Sequence, residues 1–351
     1  MAVISKQERM CGVLLGAAVG DAVGLPAEGL SRRRIARLFP GRWHHRLIAG
    51  RGLLSDDTEH TVMVAQALLA HPESVERFRQ RLGWSLRGWL LSLPAGMGLA
   101  TARAIIRLWL GFSPQRSGVW SAGNGAAMRV APIGAFFADD ERKMASYVHA
   151  ASVITHCDPR AESGAQAVAK VVAWCFQTGA SERIDRVKLF ELLQSCADES
   201  EWNDLLNKMA VAIAEDNSVE QFSDELGQHK GISGFVYRSV PLALYAWYHH
   251  FGDVEATLSA VYRCGGDTDT VGAIAGAMAG AVAGETGIPA DWIEGISDWP
   301  RDVALLRRLG GRLAEGGGGT VGYFWPAQLP RNLLFLSIVL AHGFRRLFPP
   351  Y

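Results

Sequence analysis

Four glycines at a strict four-residue spacing restrict the fold of this chain more than any other feature. Gly12, Gly16, Gly20 and Gly24 stand in the stretch "CGVLLGAAVGDAVG". On a helix this spacing places them along one face, where a second backbone can approach closely. Dimers of membrane helices use the same spacing, but Asp21 and the short apolar length argue against that interpretation. The pattern predicts a tightly packed helix in the protein core.

A second small-residue stretch begins with an excess of oxygen-bearing side chains. "GGDTDT" precedes "VGAIAGAMAGAVAG", and "SDDT", far earlier in the chain, precedes another apolar helix. An N-cap needs only one such oxygen, and neighbouring carboxylates repel each other unless positive charge lies between them. The candidate ligands of the two motifs are Ser55, Asp56, Asp57, Asp267, Asp269 and Thr270.

These ligand types favour a hard divalent metal. Oxygen ligands without Cys or His suit Mg²⁺, Mn²⁺ or Ca²⁺ rather than zinc or copper. Four carboxylates would balance the charge of two such ions, which can hold a diol or polarise a water. Either motif alone is explained by a well-capped helix. The two together predict a metal site, provided that the fold brings them together.

Helical patterns dominate the rest of the chain. Asp158 and Pro159 fit the N-cap and first position of a helix. Segments 188–215, 235–250 and 254–263 are helical in pattern, whereas alternation typical of strands is scarce. We therefore predict an all-α fold with many helices in one domain over 1–351. Its last part, 285–351, is predicted to be a helical extension packed on the body.

Composition excludes several classes of protein. The 351 residues are 49% hydrophobic and carry no formal net charge, so neither a nucleic-acid partner nor another polyanion is expected. The apolar stretches 271–284 and 333–341 are shorter than the ~20 residues of a membrane span, and no membrane association is expected. The five cysteines form no CxxC pair, which favours free thiols in a reducing cytoplasm.

Other polar residues are ambiguous when each is taken alone. Gly123, Asn124 and Gly125 can direct backbone N–H groups at an anion, although a tight turn explains them equally well. His156 is either a ligand contact or a structural histidine in a linker. For Glu28 the simple interpretation is a solvated surface carboxylate, and for Arg129 an ion-paired or surface arginine.

As a set, the motifs resemble those of one family. "GVLLGAAVGDAVGLPAE", "SDDTEHTVMVAQAL", "SAGNGAAMRVAPIG", "SVITHCDP", "GFVYRSVPLALYAW" and "GGDTDTVGAIAGAMAGA" stand in the order found in ADP-ribosylglycohydrolases. This group is related to the glycohydrolase that reactivates ADP-ribosylated dinitrogenase reductase. The matching motifs span about residues 11–284.

The resemblance implies an all-α domain with a cleft that holds two Mg²⁺ or Mn²⁺ ions on the six candidate ligands above. It also implies that Glu28 approaches the metals or the substrate and that His156 contacts the ligand. The diphosphate would lie against the loop that contains Ser121, Gly123, Asn124 and Gly125. Residues around Gly234, Phe235 and Tyr237 would line the adenosine end.

The implied activity is Mg²⁺-dependent hydrolysis of the glycosidic bond between ADP-ribose and a protein side chain or small acceptor. Glu28 or Asp57 would steer or deprotonate the attacking water. One departure is Gly96, which stands in "LSLPAGMGLATARAI" where many relatives have an aspartate. The alternatives are a non-catalytic binder of ADP-ribose or of a protein, such as an antitoxin or structural protein, and a binuclear phosphohydrolase.

Overall fold

The chain is helical almost throughout in the computed structural model, which describes residues 4–348. Within these residues seventeen α-helices occur, and extended structure is limited to isolated β-bridges. The all-α prediction is confirmed. The helices are α1 Lys6–Gly24, α2 Arg32–Leu38, α3 Asp56–Ala70, α4 Val75–Leu91, α5 Leu99–Trp109, α6 Ala131–Phe136, α7 Glu141–Val153, α8 Pro159–Thr178, α9 Arg186–Gln194, α10 Ser200–Ala214, α11 Val219–Glu225, α12 Val236–His249, α13 Val254–Cys264, α14 Thr268–Ala283, α15 Ala290–Glu294, α16 Val303–Ala314 and α17 Gln328–Arg345.

The glycine face of α1 packs directly on α14. A Cβ atom added to Gly12 would lie 2.3 Å from the carbonyl oxygen of Gly280, and one added to Gly20 would lie 2.0 Å from that of Gly272. No real side chain tolerates such distances, so backbone contacts backbone along this glycine seam. The helices run antiparallel. The end of α1 therefore meets the start of α14, where the "DTDT" motif lies.

The prediction that the apolar stretch with the four spaced glycines is too short to cross a membrane is wrong. The stretch Lys6–Ala27 has a mean hydropathy of 1.6 over its most apolar window and is long enough to cross a membrane by length and composition. That window is entirely buried inside the protein. A helix in a protein core is apolar because its side chains contact other side chains and not water. Burial in the protein interior therefore explains the apolar character of α1.

Local capping follows the sequence closely. The Ser55 side chain accepts a hydrogen bond from the Asp57 N–H at the start of α3, and Asp158 caps α8 with Pro159 at its first position. Segment 188–215 forms two helices rather than one continuous helix. The chain turns back between α9 and α10, and the Trp202 indole N–H donates to the carbonyl of Leu193 across the turn.

The last helix, α17, is tied to the body by buried polar contacts. Arg331 on α17 pairs with Asp298 and donates to the carbonyl of Leu54, next to the "SDDT" motif. The Leu54 N–H donates to the Asp298 carboxylate at 2.8 Å. Asn332 donates to Ser92 at 2.9 Å. Thus α17 fixes the residue that immediately precedes the first acidic motif.

Candidate functional site

The two acidic motifs meet in the folded chain. The Thr270 hydroxyl, at the start of α14, donates to Asp57 Oδ2 at 3.3 Å, and the Ser55 hydroxyl donates to the same oxygen at 3.0 Å. The N-termini of α3 and α14 therefore converge, as the metal hypothesis required. Asp57 Oδ1 is buried and has no hydrogen-bond partner among the described residues.

Asp21 holds the first acidic motif in place through hydrogen bonds. Its side chain is fully buried in α1, and its Oδ2 accepts from the Ser55 N–H at 2.9 Å and from the Thr58 hydroxyl at 2.5 Å. Burial raises the pKa of Asp21 to about 6, although these hydrogen bonds oppose the shift. Asp21 orients the backbone that carries the candidate ligands, which agrees with the structural role that its place in α1 suggests.

A cleft of about 570 Å³ opens above the motifs. This volume lies within the range of small-molecule sites, about 300–1,000 Å³. The predicted residues that line it are Glu28, Asp56, Ser121, Gly123, Asn124, Gly125, His156, Gly234, Asp267, Asp269 and Thr270. Phe235 does not line it. Ser55 and Asp57 do not line it and lie buried directly behind its wall.

The charges in the cleft are of one sign. Its walls carry four carboxylates, from Glu28, Asp56, Asp267 and Asp269, and no lysine or arginine. Burial first, and then mutual repulsion, raises the pKa of Asp56 and Asp269 well above the usual carboxyl value. Glu28 is exposed as a residue, but the partial loss of solvent around its carboxyl group, and then the charge of Asp267, raise its pKa. Such a cluster needs protons or a cation to compensate its charge.

The carboxylate and hydroxyl oxygens of the two motifs suit a hard cation, but they are not arranged as the coordination sphere of a metal ion. Within residues 4–348 no group of three or more His, Cys, Asp or Glu side chains is placed to hold a metal ion. The unpartnered Asp57 Oδ1 and the clustered carboxylates fit Mg²⁺ or Mn²⁺ by chemistry. The metal site therefore stays a prediction.

The glycines of the 121–125 loop leave room for the imidazole of His156. A Cβ on Gly123 would lie 3.1 Å from His156 Nε2, and a Cβ on Gly125 would lie 2.9 Å from His156 Cε1. Neither glycine has a positive φ, so close approach to the imidazole explains them and unusual backbone angles do not. Among the described residues their N–H groups have no backbone partner, in contrast to the N–H of Asn124, which donates to the Gly234 carbonyl at 2.9 Å.

Asn124 and His156 connect this loop to the rest of the site. The Asn124 amide donates to Asp267 Oδ2 at 2.7 Å, so this side chain supports the acidic motif directly. His156 is buried, and its Nδ1 lies 2.8 Å from the Thr155 hydroxyl. Burial and the nearby Arg129 charge lower the pKa of His156 to about 3, which keeps the imidazole neutral.

Two subsidiary expectations are wrong. Arg129 is fully buried and lies neither at the surface nor in an ion pair. It contacts His60 and donates to Ala151 and Thr155. Tyr237 is also fully buried, with its hydroxyl on Glu199, so it does not line the cleft. Both side chains are long enough to place their polar atoms on interior partners.

Gly96 lies in the cleft wall with a φ of +82°. A side chain there would have open space but a left-handed backbone that most residues avoid. Sequence reasoning missed other lining residues, namely Gly98–Thr101, Met128, Ile232 and Gly266. Gly98–Thr101 reach the cleft at the start of α5, and Ile232 reaches it through its bridge to Gly266 of the "GGDTDT" motif. The spacing of these residues in the sequence does not indicate this proximity.

Comparison with known proteins agrees with this architecture. The ADP-ribosylglycohydrolase family model matches residues 3–320. An uncharacterized protein of Archaeoglobus fulgidus is 33% identical over 318 residues, which cover 88% of this chain and 97% of the relative. The ADP-ribosyl-[dinitrogen reductase] glycohydrolase of Rhodospirillum rubrum is 25% identical over 326 residues, covering 89% and 98%.

A solved structure shares the fold. It is described as an ADP-ribosylglycohydrolase-related protein complex and superposes with a TM-score of 0.63 at 24% identity, covering 89% of this chain and 99% of that one. This likeness supports the helical fold. The chain belongs to the ADP-ribosylglycohydrolase family, as its motifs indicated, and the family is one of enzymes.

Proposed function

We propose that the cleft is the active site of a Mg²⁺- or Mn²⁺-dependent hydrolase that releases ADP-ribose from a protein side chain or small acceptor. The main support is the cleft wall, which combines four carboxylates with no basic residue. A binder of the anionic diphosphate through side chains would need the opposite charge. An acidic cleft binds an anion only when cations come with it.

Six residues would hold the metal ions. They are Ser55, Asp56, Asp57, Asp267, Asp269 and Thr270, which the contact between Thr270 and Asp57 already brings together. Bound divalent ions supply positive charge that can grip ribose hydroxyls and lower the pKa of a water. Asn124 would hold Asp267 in place through its 2.7 Å hydrogen bond.

The chain's own groups account for the remaining roles. Hydrolysis forms a bond from the water oxygen to the anomeric carbon and breaks the bond to the acceptor, which leaves with a proton. Of the two carboxylates predicted to receive the proton of the water, Glu28 lines the cleft whereas Asp57 is buried behind it. The raised pKa of Glu28 suits a general base. We therefore assign this role to Glu28.

The 121–125 loop would receive the diphosphate. Gly123 and Gly125 line the cleft and are half-buried. Within residues 4–348 their N–H groups have no backbone partner. Ser121 adds a hydroxyl beside them. His156 is neutral and therefore adds no charge, and its imidazole packs against the glycines of the loop. Backbone donors of this kind hold phosphate groups without basic side chains.

The first test is a thermal-shift titration with ADP-ribose, with and without Mg²⁺. A ligand at ~100 Kd stabilises the native state by ~2.7 kcal/mol. We expect a large shift that requires Mg²⁺. No shift under either condition would refute the proposed site.

Product analysis separates the alternatives. Incubation with an ADP-ribosylated protein and Mg²⁺ should yield intact ADP-ribose, and the Glu28→Gln variant should yield at least about 100-fold less per unit time. Binding without release would identify an antitoxin-like or structural binder, and AMP would identify a phosphohydrolase. The cytoplasmic location and the absence of nucleic-acid and membrane partners stay predictions.

A further inference from the structure

A second cavity shares helix α3 with the cleft but differs from it in chemistry. It measures about 720 Å³ and lies between α3, α4 and the segment 320–329. Its walls include two arginines, Arg81 and Arg301, and no Asp or Glu. The side chains that line the cleft and this second cavity therefore carry charges of opposite sign.

Aromatic rings form much of the second cavity's wall. Trp84 and Trp89 come from α4, and Tyr323 and Trp325 come from the segment before α17. Trp84 and Trp325 are 64% and 71% exposed, an unfavourable state for large apolar rings without an occupant. Tyr323 and Trp325 lie after residue 320, where the family match ends, so this wall is outside the part shared with the family.

The buried polar groups of this cavity are incompletely paired. Gln328 Oε1 accepts from Arg301 Nη2 at 2.9 Å, and both side chains are more than nine-tenths buried. Gln328 Nε2 and Arg301 Nε have no hydrogen-bond partner among the described residues. Buried donors left without acceptors are unfavourable. Both atoms are enclosed by protein, so an acceptor group of a ligand reaches them only after a side-chain rotation.

The rim of the second cavity carries a positively charged side chain. Arg81 is exposed and forms no ion pair within residues 4–348, whereas Arg301 pairs with Glu59 at 2.5 Å in the interior. The free charge at this cavity is therefore that of Arg81. An aromatic ligand that carries a negative group matches both the walls and the charge.

We propose that this cavity is a binding site for a small aromatic carboxylate, separate from the catalytic cleft. The ring lies against the tryptophans, and the carboxylate faces Arg81 at the rim. The site is independent of the proposed hydrolase activity, because the two cavities have no lining residue in common.

Calorimetric titration of the full chain with 2-naphthoate tests the proposal. The neutral 2-naphthalenemethanol has the same ring system and serves as the matched ligand. We expect naphthoate to bind once per chain and the alcohol to bind about tenfold more weakly, the effect of one charged hydrogen bond. Equal binding of the two, or no naphthoate binding at millimolar concentration, would overturn the proposal.

Matched variants locate the ligand. Arg81→Ala should weaken naphthoate binding about tenfold, while Arg77→Ala, exposed on the same helix, should leave it unchanged. Trp325→Ala should weaken it about three- to tenfold, and Trp109→Ala, an exposed tryptophan outside both cavities, should not. Saturating ADP-ribose with Mg²⁺ should not compete. Competition, or equal effects of variant and control, would place the ligand elsewhere.

Discussion

At the scale of single residues, the buried carboxylates dominate the chemistry. Asp57 Oδ2 accepts from two hydroxyls while Oδ1 has no partner, and Asp21 shows the same division between a bonded and an unbonded oxygen. Such groups are unfavourable as isolated anions in a protein interior. Their stability must therefore depend on what compensates the charge, either protons or metal ions.

Removal of single carboxylates tests the metal assignment. Asp56→Ala and Asp267→Ala should each abolish the Mg²⁺-dependent rise in Tm, because each removes a proposed ligand. Asp139→Asn, an exposed carboxylate remote from the cleft, is the control and should respond to Mg²⁺ as the wild type does. A wild-type response to Mg²⁺ in both alanine variants would show that the metal assignment is wrong.

The raised carboxyl pKa values predict an inverse dependence of stability on pH without metal. The folded state binds more protons than the unfolded state between the usual carboxyl pKa and the raised one, so stability falls as pH rises. Histidines with a lowered pKa oppose this trend between pH 6.5 and 8, because only their unfolded forms still lose protons there. His156 and His60 are two of them, and each adds at most about 0.4 kcal/mol of stability over this range. The loss is at most about 1.4 kcal/mol per pH unit for each carboxyl.

Urea denaturation of the metal-free protein at pH 6.5 and 8 measures this effect. Asp57→Asn should make the loss smaller, and saturating Mg²⁺ should remove it. A metal-free wild type whose stability changes between these two pH values by the same amount as that of Asp57→Asn would contradict the prediction.

At the scale of elements, the glycine seam determines where the second motif lies. The pairs Gly12 with Gly280, Gly16 with Gly276 and Gly20 with Gly272 place α1 and α14 in backbone contact. The spacing of the glycines predicted the close approach, but no sequence pattern identified α14 as the partner. That choice depends on contacts between residues more than 240 positions apart, such as the 2.9 Å bond from the Thr268 hydroxyl to the Gly24 carbonyl.

Gly20→Ala tests the seam. Its Cβ would lie 2.0 Å from the Gly272 oxygen, so we expect a loss of about 3 kcal/mol in the free energy of unfolding, with a weaker Mg²⁺ response because α14 is displaced. Gly88→Ala, in the interior of α4 with open space around its Cβ, should gain ~0.5–1 kcal/mol instead. Equal effects of the two substitutions in urea denaturation would refute the seam.

At the scale of the whole molecule, the C-terminal helix supports both sides of the cleft. Arg331 binds the carbonyl of Leu54 before the first motif, and Arg346 donates to the carbonyl of Glu28 at 2.7 Å. A buried network of ion pairs connects α3 and α17. Its members are Glu59, Asp298, Arg301 and Arg331. The helix beyond the family match is thus part of the structural support of the candidate site.

Arg331→Met should cost about 3–5 kcal/mol, because it leaves Asp298 buried without its cation. Arg263→Met removes an exposed pair with Glu220 and should cost less than ~1 kcal/mol. Urea denaturation measures both, and Arg331→Lys should recover part of the loss. A cost for Arg331→Met no larger than that of the exposed pair would show that the network does not support α3.

The helical fold and the caps were predictable, because they follow from helical periodicity and from the residue types at helix starts. The convergence of the two acidic motifs was a condition of the metal hypothesis, and the residue types alone could not establish it. The burial of Arg129 and Tyr237 was not predictable, since their interior partners His60 and Glu199 lie far away in sequence. The same is true of the Asn124 contact with Asp267, which crosses 143 residues. Patterns within a short window carry no information on such pairs.

The glycine seam also affects how this sequence can evolve. Where backbone rests on backbone, the separation of two helices depends on peptide dimensions and not on the volume of any side chain. Exchanges among Ala, Val, Leu and Ile elsewhere in the core therefore alter stability without moving the start of α14 relative to the end of α1. Lineages can replace much of the core over time while the carboxylates at that junction keep their positions.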